Sequence, residues 1–123
     1  MVLLYYPRNA PRGMGRLPLS VLALGAVLEG RTDYRIVDGN VEADPLEALT
    51  QLIRRDPAGA VLCVSVMPGT QMVNAISHSR TLKSLFPEIT VVWGGYFPSM
   101  HTESVLNSTF VDYVIRGQGE RSL

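Results

Sequence analysis

Few residues in this chain are of types that do chemistry, and their spacing narrows the options further. There are two histidines, His78 and His101, and one cysteine, Cys63. A lone cysteine forms no internal disulfide and builds no CxxC-type metal or cluster site. Cys63 also falls inside the apolar run AVLCVSV, where it reads as a small buried apolar residue. His78 stands between Ser77 and Ser79 in a helical stretch and reads as solvent-facing. His101 precedes Thr102 and reads as a surface or capping residue. What remains is glycine. Gly13, Gly15, Gly39, Gly69, Gly94, Gly95, Gly117 and Gly119 lie in loops, where backbone without a Cβ comes close to a ligand. Such loops bind; they carry no group that breaks a bond, and no catalytic residue is assigned.

The elements that must position these loops alternate. Residues 2–6, VLLYY, form an apolar run stopped by Pro7, as a buried strand does. A loop rich in Pro, Gly and Arg follows over 7–17, and Pro18 suits the first turn of a helix. Leu19, Val21, Leu22, Leu24, Val27 and Leu28 cover more than one helical stripe, which predicts a heavily buried helix with Gly30 as its C-terminal cap. A second strand spans 34–38 and turns at Gly39-Asn40. Asp44, Pro45 and Glu47 make a capping-box-like start for a helix carrying Leu46, Leu49, Leu52 and Ile53, which ends at Asp56-Pro57.

The run at 60–66 is apolar on both faces, as in a central parallel strand. Met67-Pro68-Gly69-Thr70 is a loop. Met72, Ala75, Ile76, Ser79, Leu82 and Phe86 then mark one helix face, ended by Pro87. A fourth strand at 89–93 runs into a loop at 94–99, Thr102 caps a short helix through Leu106, and a fifth strand spans 111–116. This order predicts an α/β chain: a flavodoxin-like (Rossmann-like), doubly wound, five-stranded parallel sheet of order 2-1-3-4-5. Only the start of a last helix follows, so the expectation is a single domain over 1–123 cut from a longer chain. One sheet face is then partly uncovered and open to self-association.

Composition excludes several classes. The 123 residues are 46% apolar and 18% charged, and 11 basic side chains balance 11 acidic ones. No strong field favours nucleic acid or an anionic membrane. The longest apolar stretch, 17–28, is broken by Pro18, Ser20 and Gly25 and is shorter than the roughly 20 residues a bilayer span needs. A reducing, cytoplasmic setting without membrane or nucleic-acid partners is expected.

In open α/β sheets ligands bind beyond the carboxyl ends of the strands, which selects loops 7–17, 39–41, 67–70, 94–99 and 117–120. A phosphate-receiver domain needs acids after strands one and three and a lysine after strand five. Those places hold Pro7-Arg8, Met67-Pro68 and Arg116-Gly117, so that chemistry is excluded. Gly13-Met14-Gly15-Arg16-Leu17-Pro18 offers two glycines of a GxGxxG fingerprint and Asp38 an acid at the end of strand two, but the first loop is too long for a tight dinucleotide turn.

The stretch VVWGGYFPS at 91–99 resembles the GGxxP-type loop of vitamin B12-binding domains that precede radical-SAM domains. DYVIRGQGE at 112–120 is similar to that family's DYVVRGEGE signature, with Gln118 in place of an acid. The opening VLLYYPRNAPRGMGRLPLSVLALGAVLEG looks like its first strand, long loop and apolar helix. The pair of motifs at this spacing is fairly specific, and the likeness covers essentially the whole chain.

The resemblance implies a domain holding cobalamin, with its cobalt, over the carboxyl edge. The nucleotide tail enters the sheet cleft, and the corrin faces a C-terminal radical-SAM domain of the same chain. That partner would carry a 4Fe-4S cluster on a CxxxCxxC motif together with S-adenosylmethionine; the motif is absent from this sequence. The parent would be a B12-dependent enzyme that transfers a methyl group or forms a ring, with the anaerobic Mg-protoporphyrin monomethyl ester oxidative cyclase-like branch as one option. In the other B12 class, DxHxxG after strand one supplies a histidine to cobalt. With Gly13 at the glycine position, Arg8 and Ala10 stand in place of the acid and the histidine, so the resemblance implies no histidine ligand to the metal from this loop.

Carried onto this chain, the cofactor-binding residues are Asn9, Arg12 and Met14 beneath the corrin, and Ser65, Met67, Pro68 and Gly69 by the tail. Gly94 and Gly95 are expected against tail or corrin edge, Tyr96 and Phe97 as apolar contacts, and Gly117 and Gly119 on the far side. A nucleotide- or flavin-binding module, and a domain of this type that has lost its cofactor and serves as an interaction domain, stand as alternatives.

Overall fold

The computed structural model describes residues 1–9 and 19–116. The elements are β1 (Val2–Tyr6), α1 (Leu19–Leu28), β2 (Tyr34–Asp38), α2 (Pro45–Arg55), β3 (Val61–Ser65), α3 (Thr70–Leu85), β4 (Thr90–Gly94), α4 (Tyr96–Met100), α5 (Thr102–Leu106) and β5 (Tyr113–Ile115). The five strands form one parallel sheet in the order β2-β1-β3-β4-β5, the flavodoxin-like arrangement that alternating strands and helices predict. Its register lines up Leu4, Cys63, Val92 and Tyr113 in a single row. Among the described residues no helix is long and apolar enough to cross a membrane.

Because strand side chains alternate, each strand feeds both faces of the sheet. Leu3, Tyr5, Leu62, Val64, Val91 and Trp93 point to the side covered by α2 and α3, where they meet Leu49, Ile53, Ala75 and Leu82. Leu4, Cys63 and Val92 point the other way, under Val21 and Leu28 of α1. Leu49 and Ile53 are fully buried, and each such side chain contributes about 1.5–3 kcal/mol through area removed from water. α2 starts where its sequence says: Asp44 accepts a hydrogen bond from the Glu47 amide at 3.1 Å, and Pro45 occupies the first turn. The reciprocal half of a capping box does not form, because the Glu47 carboxylate accepts from Gln51 instead.

Three expectations are corrected. α1 is not heavily buried: it touches the sheet along Val21, Gly25 and Leu28, and Leu22 on its outer side is 42% exposed. The loop expected over 94–99 folds into α4, since Gly95 adopts φ +105 and Pro98 lies within the first turn, where a missing N–H costs nothing. Thr102 is not the cap of α5; His101 takes that place without a side-chain bond, and the Thr102 hydroxyl donates to the Pro98 carbonyl at 2.9 Å.

Candidate functional site

The carboxyl edge of the sheet is uneven, and side-chain size makes it so. On the α1 face the middle strands β3 and β4 pass from buried to half-exposed residues toward this edge. Cys63 and Val92 are buried beneath α1, and two residues further along their strands stand Ser65 and Gly94, direct register partners and half-exposed. Ile115 continues the row on β5, also half-exposed, and Tyr6 stands on the same face of β1. Ser20 of α1 reaches over the row, its hydroxyl 3.2 Å from that of Ser65. The result is a slot with a small-residue floor, bounded by Tyr6, Ile115 and the start of α1.

Gly94 and Gly95 are adjacent and do different work. Among the described residues, a Cβ on Gly94 would meet nothing closer than Ile115 at 3.9 Å, so none of them demands glycine there. A Cβ on Gly95 would stand 3.0 Å from the Val66 carbonyl oxygen and 3.1 Å from its nitrogen. Its backbone, φ +105 and ψ −165, also lies in a region that essentially only glycine adopts. That conformation lets the Phe97 amide donate to the Val66 carbonyl at 3.2 Å, while the Val66 amide donates to the Gly94 carbonyl at 2.8 Å. Gly95 therefore joins α4 to β3, and Gly94 keeps the slot open.

Of the other residues singled out from sequence, Met67 (45% exposed), Pro68 and Gly69 form an exposed turn leading into α3. Gly69 has φ +98, and no side-chain cap covers the first amides of α3. Tyr96 is 59% exposed at the same edge. Phe97 turns inward instead: it packs on the α2–α3 core, its ring 4.8 Å from that of His101. Asn9 is held by neighbours. Its backbone amide and side-chain oxygen pair with the side chain of Asn40 at 3.2 and 3.1 Å, and its amide group donates to the Tyr6 hydroxyl at 3.0 Å. Arg12, Met14, Gly117 and Gly119 lie outside the described residues.

Arg8 is part of the scaffold, donating from Nε to the Gly39 carbonyl and from Nη2 to the Glu42 carbonyl, both at 3.0 Å. His78 does not face solvent as expected. It is half-buried, with Nδ1 2.6 Å from the hydroxyl of the fully buried Tyr5 and the two rings stacked. Burial holds its pKa below the usual value, against an opposing pull from the Asp44 carboxylate. Cys63 is buried as read, and burial pushes its thiol up to about 12, so it carries no nucleophile at neutral pH. Among the described residues no three His, Cys, Asp or Glu side chains are grouped to hold a metal ion.

Sequence reading missed Tyr6, Ser20 and Gln71. The first two become visible once strand parity shows that Ser65 and Gly94 share the α1 face. The signal for Gln71 is a polar residue at a buried helical position, spaced with Asn74 and His78.

The family model described as B12 binding domain matches residues 15–123 of the chain. No curated protein matches it.

Proposed function

The chain belongs to the B12 binding domain family, and from that footing we propose that it holds cobalamin at the carboxyl edge, with the nucleotide tail in the slot floored by Ser65 and Gly94. The residues present fit such a group. The observation that carries the reading is Gly94, a half-exposed strand residue where an added Cβ would meet no described atom closer than Ile115 at 3.9 Å, on the α1 face. Ser65 and Ser20 supply hydroxyls beside it, and the exposed Met67 and Tyr96 suit the apolar rim of a macrocycle. Bound cobalamin supplies group-transfer chemistry of its own. The chain's residues bind and orient: the turn 67–69 closes one side, and Tyr6 and Ile115 shape the others.

The finer reading is that this domain serves a radical-SAM domain carrying the 4Fe-4S cluster and S-adenosylmethionine. Its support is the likeness of the Gly94-Gly95 and DYVIRGQGE stretches to domains that precede such partners. On that reading the chemistry of the parent enzyme is methyl transfer or ring formation, and the protein is cytoplasmic.

Hydroxocobalamin titration, followed by gel filtration, tests the first reading. The expected result is a cobalamin spectrum that travels with the protein and shows no histidine coordinated to the metal. Retention of FMN or NAD while cobalamin passes through contradicts it. Anaerobic reconstitution of the parent protein with iron and sulfide tests the second; failure to develop an iron–sulfur absorption band counts against it.

A further inference from the structure

The buried side of α3 carries a polar stripe where an apolar one would pack as well. Gln71, Asn74 and His78 follow helical spacing and face β1 and its exit. Gln71 is 1% exposed and uses both ends of its amide. Its Oε1 accepts from the Met67 amide at 2.9 Å, and its Nε2 donates to the Pro7 carbonyl at 2.8 Å. The partners fix the orientation of the amide, since one is a donor and the other an acceptor. Asn74 donates to the Arg8 carbonyl at 3.3 Å. From the opposite side, Arg8 reaches the Gly39 and Glu42 carbonyls and Asn40 pairs with Asn9. The exits of β1 and β3, neighbours in the sheet, are thus locked to each other through one buried side chain.

Burying an amide is unfavourable unless both its ends are satisfied, and leucine would fill similar volume without that condition. A polar group here brings no packing advantage; it specifies the positions of two loops. We propose that Gln71 is a positioning residue for the ligand edge. It fixes the Met67 turn against the Pro7–Asn9 exit so that both meet the bound cofactor in one preset arrangement. This rests on the cobalamin reading above.

The test uses the full chain and three variants. Gln71→Leu removes both hydrogen bonds at similar volume. Gln71→Glu, its carboxyl kept protonated by burial, offers an acceptor to Met67 and an O–H donor to Pro7 and serves as the conservative rescue. Lys83→Met removes the contacts to Asp112 and the Ile89 carbonyl at the far edge of the sheet and serves as the stability control. Amide hydrogen exchange and hydroxocobalamin affinity are read on each. Gln71→Leu should speed exchange of the Met67 and Asn9 amides by about tenfold or more while that of Val91 stays protected. It should also weaken cobalamin binding by about tenfold, a loss that Lys83→Met does not show at a comparable melting temperature. Gln71→Glu should retain protection at both amides, Met67 through its own bond and Asn9 through the Pro7 exit that the O–H still holds. Unchanged exchange at Met67 and Asn9 in Gln71→Leu overturns the positioning role, whatever binds. Faster exchange with wild-type cobalamin affinity reduces Gln71 to a structural residue and overturns it as well. A wild-type chain that binds no cobalamin sinks the functional reading instead, and is told apart because the exchange data do not depend on the cofactor.

Discussion

The two faces of this sheet are built from the same strands and behave differently. On the α2–α3 face, Leu3, Tyr5, Leu62, Val64, Val91 and Trp93 are each at most 2% exposed, and the polar groups among them are paired: Trp93 donates to the buried Ser79 hydroxyl at 3.0 Å. On the α1 face the packing thins toward the carboxyl edge, from the buried row of Leu4, Cys63 and Val92 to the half-exposed Ser65 and Gly94 two residues further along β3 and β4. One face spends its residues on rigidity, and the other ends in a slot. The contrast puts the proposed binding on the thinner face and the support for its loops on the sealed one. Two small residues in register, Ser65 and Gly94, lie half-exposed on the face that α1 alone covers among the described residues, and the opposite face is packed throughout.

The largest effect expected from this contrast compares neighbours in β3. Leu62→Ala should cost about 2–5 kcal/mol, because it opens a cavity in a sealed layer. Cys63→Ala, one residue along and pointing to the thinner face, should cost about 1 kcal/mol. Urea denaturation measures both, and equal losses would break the comparison. Gly95→Ala comes next. The backbone there is glycine-only and a Cβ would press on Val66, so a loss of about 1–3 kcal/mol is expected. A stability equal to wild type would show that the α4 junction carries no strain.

A smaller effect concerns His78, inside the sealed face. Its folded pKa lies below the ordinary histidine value of about 6.5 because burial disfavours the charged ring. The unfolded chain therefore binds more protons in the window just below that value, so stability is complete above it and falls as pH drops through it. The fall is shallow, since the ring is only half-buried. Urea midpoints at about pH 7 and about pH 5.5 should differ in the wild type and converge in His78→Gln, which keeps an acceptor for the Tyr5 hydroxyl. A slope that survives the substitution would place the proton uptake elsewhere. Asp112 lies in a separate, lower window. Although burial raises it, hydrogen bonds from Lys83 and the Val91 amide bring its pKa below the usual carboxylate value, and its contribution is lost only as pH falls beneath that range.

Much of the fold was legible in the sequence because strands here are short apolar runs punctuated by Pro and Gly. The strand order follows from alternation with helices. The burial of Cys63 and the cap at Asp44 were legible for the same local reason. What was not legible depended on partners distant in sequence. His78 looks solvent-facing beside two serines until Tyr5, 73 residues away, is placed against it. Leu22 looks like core until α1 is seen to meet the sheet along one stripe. α4 was hidden because glycine and proline usually signal a loop, whereas here one glycine starts a helix and the proline sits in its first turn. At the site, the glycine pair stood out in sequence, but the division of labour between Gly94 and Gly95 appears only with their neighbours in place.

That division gives the most direct test of the central claim. Gly94→Val places a Cβ where no described atom lies closer than 3.9 Å, in a strand, where valine is well suited, so its unfolding free energy should stay within about 1 kcal/mol of wild type. The same side chain fills the slot, so hydroxocobalamin affinity should fall by about tenfold or more, measured by visible-spectrum titration of both proteins. Undiminished affinity in a stably folded Gly94→Val chain would contradict the placement of the cofactor in this slot.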